Sequence, residues 1–481
     1  MIAAKLGQIA AMTDHILEAL SVIAGARHVL TGDAAAPWAR DWSGMLEWKP
    51  LAVVRPASTE EVAATLRLAN ETRTPVVPVS GNTGLTRATE APDAIMLSLD
   101  RLSAIREINP AGRIAVVEAG VILSDLHSAA EAEGLVFPLT FGARGSAMIG
   151  GALSTNAGGS NVLRYGNARN LCLGLEAVTP EGEVMTLMSA LHKDNSGYDL
   201  RDLMIGAEGT LGVITGAVLK LFPRPRTHVT AMVAAPSVAA AIELLHVLQS
   251  ETGGAVEAFE YMPGSYMDAY LERFPEARAP FPTRHEVNIL VEIGALAERD
   301  ARPGPDGEVP IAAHLEEVLM RLYDKDAVLD ATVARSEAQR AEMWARREAA
   351  AEVARLHMPF IDNDIAVALH RMPDLLERTA ARARALDPDI RLVHVAHLGD
   401  GNLHFTAWPS TPDRQIHDAV REAVEEETIA LGGSFSAEHG IGQSKLPAMA
   451  RYKDPVALTM MRRIKQALDP NGIMNPGKVL P

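Results

Sequence analysis

The sequence predicts an α+β protein of two domains, and three observations carry that expectation. The chain has 481 residues, whereas a single hydrophobic core stops growing near ~250–300 residues. Strand-like and helix-like segments alternate up to Pro223, as in one domain of mixed α and β structure. After Phe222–Arg226 (FPRPR) the texture changes, and Ala/Leu/Glu/Arg-rich helical segments alternate with strands of another composition. The expected divisions are a helical segment over 1–45, a first domain over 46–225, a second over 226–440, and a C-terminal segment over 441–481.

Each element follows in order. Leu51–Pro56 (LAVVRP) reads as a strand, and Ser58 and Thr59 ahead of EEVAATLRLANE read as a helix start, since a hydroxyl before acidic residues caps free backbone N–H groups. PVVPVSGNTGL is a β-branched run that ends in a Gly-rich turn. AIMLSL and RIAVVEAG read as strands and VILSDLHSAAEAEG as a helix. From Gly142 to Gly216 the chain is rich in glycine and short apolar runs. In the second half VNILVEI and LVHVAHL read as strands, and ERDARPGPDGEVP as a polar loop. The helix ALTMMRRIKQALD precedes a turn-rich tail, PNGIMNPGKVLP.

Composition excludes several classes. The net charge is −16, from 45 basic and 61 acidic residues, which disfavours nucleic acid and anionic membrane as partners. Local arginines can still recognise an acidic substrate. No stretch approaches the ~20 consecutive apolar residues of a membrane helix. The first 30 residues carry only Lys5 and Arg27 as basic residues and no compact apolar block before a cleavage signal. A soluble, cytoplasmic protein is expected. With Cys172 as its single cysteine, the chain forms no intrachain disulfide, and a metal must be held mainly by His, Asp or Glu.

Three glycine clusters carry the first chemical signal. Ser80-Gly81-Asn82-Thr83-Gly84-Leu85 follows a predicted strand directly. Glycines let backbone N–H groups approach a phosphate closely and form an anion-binding nest. Asp100 lies at a plausible ribose-reading position, but the glycine order is not GxGxxG and no clear helix opens after the loop, so a nicotinamide-type site is a weak reading. The second cluster is Gly145–Gly151 with Asn156–Gly159, and the third is Gly206–Ile214. So many close backbone approaches suit a large diphosphate-bearing ligand. Strands packed closely through glycine are the plain alternative.

The second signal is a set of histidines. His394, His397 and His404 flank a Gly-Asp-Gly-Asn turn, and Glu438-His439 follows further on between glycine-rich flanks. Two imidazoles that converge across such a turn, with one carboxylate, leave coordination positions open, as at a catalytic metal. Histidines that merely satisfy hydrogen bonds are the alternative.

Together PVSGNTGLT, GGALSTNAGGSNVLRYGN, KDNSGYDLRDLMIGAEGTLGVIT and LDPNGIMNPGKVLP resemble the vanillyl-alcohol-oxidase-like flavoproteins, in particular the branch of D-lactate and D-2-hydroxyglutarate dehydrogenases. The resemblance runs from about Leu51 to the end of the chain. It implies a two-part FAD-binding domain (PCMH type), an α+β substrate cap domain, and a C-terminal segment that returns to the flavin. It implies that Ser80–Leu85 wraps the FAD diphosphate and that Gly145, Ser146, Gly151, Thr155 and Gly158 line the cofactor. Glu208, Gly209, Gly212 and Ile214 would lie by its adenosine and ribityl portions, and Asn475 would return to the flavin. Relatives with covalent flavin often carry His in the first glycine loop, and Asn82 in its place implies non-covalent FAD.

The resemblance also implies that His397, His404 and Glu438 bind a divalent cation, zinc by preference, and that His439 is the base. Such a metal would polarise a substrate hydroxyl, and an imidazole accepts a proton near neutral pH. His394 is expected to be structural. Arg347, in the predicted helix around Trp344–Glu348, would hold the substrate carboxylate as a bidentate pair, with Asn402 as a second substrate contact. The branch's 2-hydroxyglutarate enzymes carry Thr and Lys for the second carboxylate where this chain has Ala351 and Asp362, and Thr406 stands where Asn is usual. A monocarboxylic substrate such as D-lactate gains weight from those departures.

The expected reaction is therefore oxidation of a small D-2-hydroxy acid to the 2-oxo acid by hydride transfer to FAD, in a homodimer. A metal-independent flavin oxidase of the same fold and a non-catalytic FAD-carrying subunit are the alternatives. Retention of both histidines with Glu438-His439 argues against each. The electron acceptor is invisible in the sequence.

Overall fold

The computed structural model describes residues 2–42, 44–305 and 307–481, with 2–10 as backbone only. The chain divides into two compact units. The first comprises Met1–Ala157, Asn167–Pro223 and Glu438–Pro481, and the second Gly158–Gly166 with Arg224–Ala437. Two features depart from the divisions expected over 1–45 and 46–225. The N-terminal helix Ile2–Ala24 buries Ile16, Leu20 and Ala24 in the same core as Val62, Leu66 and Ala69 of the helix Thr59–Thr72, so it is part of the first unit. Residues Gly158–Gly166 leave the glycine-rich stretch to join the second unit, where Arg164 donates to Glu257 Oε1 at 2.9 Å and to the Gly294 carbonyl at 2.9 Å.

The first unit contains two main sheets. Ala52–Val54 and Val76–Val79 flank Ile95–Ser98 in parallel, and Val29–Leu30 adds an antiparallel edge. The parallel strands are almost wholly buried, which explains their largely apolar sequences. The helix between the first two starts at Ser58, whose hydroxyl accepts the Glu61 N–H. The adjoining Thr59 hydroxyl donates instead to Glu176 at 2.8 Å. A five-stranded antiparallel sheet runs in the order Ile105–Asn109, Ile114–Glu118, Val213–Lys220, Cys172–Val178, Val184–Leu187. The C-terminal tail comes back to the strand Val76–Val79. Val76 N–H donates to the Ile473 carbonyl and Asn475 N–H to the Val76 carbonyl, each at 2.8 Å.

The second unit is built on an eight-stranded antiparallel sheet. Its order is Asp330–Val333, Thr227–Ala234, Val287–Ala295, Val256–Pro263, Val395–His397, Asn402–Trp408, Ile361–Ala366, with Arg391–Leu392 pairing beside Asn402–Trp408. Alternation along each strand assigns its two faces. Val229, Ala231, Val233, Phe259, Ile289, Val291, Leu403 and Phe405 point toward one core with residues of the helices Val238–Glu251, Pro310–Tyr323, Met372–Leu386 and Arg414–Ala430. Met232, Ala234, Met262, Leu290, Val395 and Trp408 point to the other, with the helices Gly264–Arg273 and Glu337–Glu348. Among the described residues no helix is long and apolar enough to cross a membrane.

Candidate active site

In the first unit the glycine segments expected at the cofactor come together. A Cβ built on Gly81 would lie 2.1 Å from the Ser146 carbonyl oxygen, and one on Gly151 would lie 3.2 Å from Ser80 Cβ. A Cβ on Gly209 would meet the Pro78 ring at 3.0 Å. The first contact leaves no room for a side chain and the other two are tight, so Gly81 is what lets Ser80–Leu85 lie against Gly145–Gly151, with the Gly206–Gly212 turn close to Pro78. Asn82 has positive φ, and its amide donates to the Arg40 carbonyl and accepts from Thr89 Oγ1, each at 2.8 Å. Its side chain thus fixes the loop. Gly84 and Gly145 face open space, and Leu85 is exposed. Thr155 donates back to the Gly151 carbonyl at 3.2 Å. Gly158 belongs to the segment counted with the second unit.

The third cluster has a packing role of its own. Gly212 approaches the Val178 carbonyl, at 2.6 Å from a built Cβ, and Ile214 is buried in the strand Val213–Lys220. Asn475 is buried with positive φ, and its Nδ2 donates to the Glu208 carbonyl at 2.7 Å and the Ala88 carbonyl at 3.2 Å. It clasps the first and third loops through their main chains. Asp100, considered for ribose, is paired with Arg55 at 2.8 Å.

Glu208 has a partner of its own within the first unit. Its carboxylate accepts the N–H of Ile441 at 2.7 Å and of Gly442 at 2.8 Å. Burial raises its pKa above the usual carboxylate range, opposed by those two N–H groups and by Lys445. Thr86 Oγ1 donates to the His439 carbonyl at 3.3 Å, and the Thr86 carbonyl receives Gln443 N–H at 2.9 Å. The turn that carries His439 is therefore held from both sides by the first unit's own loops.

In the second unit the polar residues gather on the sheet face under the helix Glu337–Glu348. Glu260 pairs in register with His397, His397 with Asn402, and His404 with Asp364. Odd and even positions fall so that all five share this face with Met262 and Trp408. His397 Nδ1 is 2.8 Å from Glu260 Oε1, and the His397 and His404 rings meet edge to face at 5.3 Å. Arg347 reaches down from the helix, with Nε 2.7 Å from Glu260 Oε2 and Nη2 at 3.3–3.4 Å from both His397 ring nitrogens. Burial alone would raise the Glu260 pKa, but the adjoining His397 and Arg347 outweigh it and hold the carboxyl below its ordinary value.

These residues suit a metal site. Glu260 engages His397 Nδ1, so Nε2 is the nitrogen turned to other partners. Arg347 Nη2 is nearly equidistant from the two ring nitrogens. Ala437 N–H donates to the Asp364 carbonyl, opposite His404, at 3.3 Å, and Glu438 is the next residue in the chain.

The structure places the other residues singled out in the sequence as follows. Arg346, next to Arg347, is buried but committed to Glu342 and the Arg278 carbonyl. His394 stacks on Phe405 with centroids 6.1 Å apart, and burial, with Arg384 nearby, pushes its pKa down to about 4. Asn402 spends its amide nitrogen on Asp364 Oδ1 and the Ile365 carbonyl, both at 3.0 Å, so only its carbonyl oxygen is left for a substrate. Ala351 and Asp362 are both exposed. A second group of potential ligands, His228, Glu257 and Glu292, already contains its cations. Arg164 and Tyr165 take Glu257, while Arg340, Trp344 and Thr230 take Glu292. Glu260 was not singled out by the sequence, although an acidic residue inside the apolar run VEAFEYMP is the signal that marks it.

Comparison with known proteins identifies the family and the fold. Residues 224–479 match the family described as FAD linked oxidases, C-terminal domain, and residues 50–188 match the FAD binding domain. A D-2-hydroxyglutarate dehydrogenase of Xanthomonas citri pv. viticola is 36% identical over 92% of this chain and 92% of its own length. One from Stutzerimonas stutzeri is 35% identical over 97% of this chain and 99% of its own. The crystal structure of p-cresol methylhydroxylase superposes with a TM-score of 0.72, at 15% identity, over 97% of this chain and 96% of that one, which establishes a shared fold.

Proposed function

This chain belongs to the FAD-linked oxidase family of FAD-dependent oxidoreductases, and we propose that it oxidises a D-2-hydroxy acid to the 2-oxo acid. The observation that carries the reading is the buried cap face on which Arg347, His397 and His404 stand together. A guanidinium beside two imidazoles offers one group for a carboxylate and two for a metal that binds the neighbouring hydroxyl.

In this reading Arg347 holds the C1 carboxylate and so fixes which face of C2 is presented. His397, His404 and Glu438 would hold the divalent cation, zinc by preference. When bound, the metal would acidify the 2-hydroxyl and FAD would accept the C2 hydride. His439 takes the hydroxyl proton on its ring nitrogen, and the latch formed by Glu208 and Thr86 keeps its main chain in place. The relatives' names point to 2-hydroxyglutarate, yet Ala351 and Asp362 supply no cation for a second carboxylate. A monocarboxylic acid such as D-lactate is therefore the favoured substrate.

The test is anaerobic bleaching of the flavin absorbance by a panel of D- and L-2-hydroxy acids, on metal-replete and chelator-treated protein. Rapid bleaching by a D-acid, lost on chelation and restored by metal, is expected. Flavin that no hydroxy acid bleaches, in metal-replete protein, would sink the reading.

A further inference from the structure

We propose that Glu260 is the positioning residue of this site, a single carboxylate that sets the donor nitrogen of His397 and the guanidinium of Arg347 at once. The inference rests on the reading above, in which His397 is a metal ligand and Arg347 the carboxylate anchor. Glu260 has no exposed surface at all. An ion so deeply buried is costly unless every oxygen is engaged by a charged or hydrogen-bonding partner. His397 Nδ1 lies 2.8 Å from both oxygens of Glu260, and Arg347 Nε lies 2.7 Å from Oε2. Tyr266, packed in the same core, gives its hydroxyl to the Arg346 carbonyl at 2.6 Å, which fixes the helix that delivers Arg347.

Two consequences follow from this geometry. A carboxylate on Nδ1 keeps the proton there, so the lone pair sits on Nε2 and the ring cannot rotate away from the site. The same carboxylate pulls the Arg347 side chain across the His397 ring, which restricts where a substrate carboxylate can dock relative to the metal. The metal ligand and the substrate anchor are thus placed by one group, at no distance from each other that either could alter alone. Glu260 reaches neither substrate nor metal. It acts through its two neighbours.

The experiment uses Glu260→Gln in the full-length, FAD-loaded protein. Glutamine is nearly the same size but has one acceptor oxygen for two donors and no charge. Metal retained against a graded chelator buffer is measured by elemental analysis, and kcat and KM separately with the D-acid that bleaches the wild type. Flavin absorbance and far-UV circular dichroism report folding. The expected result is a native spectrum, metal affinity lower by about 10–100-fold, and a raised KM. The KM effect should be sub-additive with Arg347→Lys, because the two act as a unit. Wild-type metal affinity and wild-type KM in Glu260→Gln would overturn the proposal while leaving the proposed function intact. Wild-type protein that binds no stoichiometric metal would remove both. If Glu260→Gln does not fold, a crystal structure of metal-soaked wild type decides. Metal on His397 Nε2 with Glu260 on Nδ1 supports the assignment, and metal on Nδ1 overturns it.

Discussion

Replacing His394 by leucine should make the cap unit markedly less sensitive to acid. The imidazole is buried between Tyr261 and Phe405, and its Nδ1 has no hydrogen-bond partner. Burial and the nearby Arg384 push its pKa down to about 4 from an ordinary 6.5. The unfolded chain therefore takes up the proton first as the pH falls. The stability that follows from a neutral His394 is complete above pH ~6.5 and is lost progressively toward pH ~4. At about 1.4 kcal/mol per pH unit the full loss approaches ~3 kcal/mol, and about 2 kcal/mol of it has occurred by pH 5. Leucine is close to histidine in volume and does not titrate. Amide hydrogen exchange on the strands Val256–Pro263 and Asn402–Trp408 reads the opening free energy of the cap at pH 7.5 and pH 5, in FAD-saturated protein. Relative to wild type, His394→Leu should gain about 2 kcal/mol between those two pH values. Profiles that run parallel, whatever their offset, would refute the argument.

Three further outcomes test the first unit. Gly81→Ala places a methyl 2.1 Å from the Ser146 carbonyl, so the loops must part by an overpacking cost of about 1–3 kcal/mol, and FAD retained on gel filtration should fall about tenfold or more. Glu208→Gln turns an amide N–H toward the N–H of Ile441 or Gly442, at about 1–3 kcal/mol for an unmet buried donor. Turnover should drop with the flavin still bound, as judged by stopped-flow reduction. Because Asn82 offers no nucleophile where a histidine would tether flavin, acid precipitation of the holoprotein should leave all yellow colour in the supernatant.

Much of this organisation is legible in the sequence because its causes are local. Ser58 before an acidic, Ala/Leu-periodic run, and Val76–Val79 ahead of Ser80-Gly81, are signals that need no tertiary information. The convergence of the first two glycine clusters is also foreseeable, since Gly81 permits a backbone approach that a methyl group would block. What escapes is set by pairing register. Glu260 becomes the partner of His397 only because the strands Val256–Pro263 and Val395–His397, 137 residues apart at the paired positions, meet with those two opposite. The passage of Gly158–Gly166 into the second unit is likewise decided by Glu257, far along the chain, which gathers Arg164 and Tyr165. Nor does a motif show how its side chains are spent. Asn402 and Asn475 look like ligand contacts in sequence, yet the amide nitrogen of Asn402 is spent on Asp364 Oδ1 and the Ile365 carbonyl and that of Asn475 on main-chain carbonyls, and Glu208 also serves the turn of His439.

In the proposed reading, substrate choice turns on one row of the cap sheet. Asp362 lies opposite Thr406, two residues along from the Asp364–His404 pair and on the same face. Two residues of strand are ~7 Å, which is within reach of the far end of a five-carbon diacid whose near end is held at Arg347. An aspartate there repels a second carboxylate, and Ala351, also exposed, offers it no hydrogen bond. Asp362→Lys replaces repulsion by attraction. Each exposed charge contact is worth ~0.2–1 kcal/mol, so the reversal should amount to roughly 0.5–2 kcal/mol, or about 2–30-fold in relative specificity. The measurement is kcat/KM for D-2-hydroxyglutarate and for D-lactate in both proteins. Wild type should favour the monocarboxylate, and the ratio should move toward the dicarboxylate in Asp362→Lys, chiefly through KM because the contact is made equally in ground and transition states. A wild type that already prefers D-2-hydroxyglutarate, or a variant in which both substrates change by the same factor, would show that the second carboxylate is recognised elsewhere.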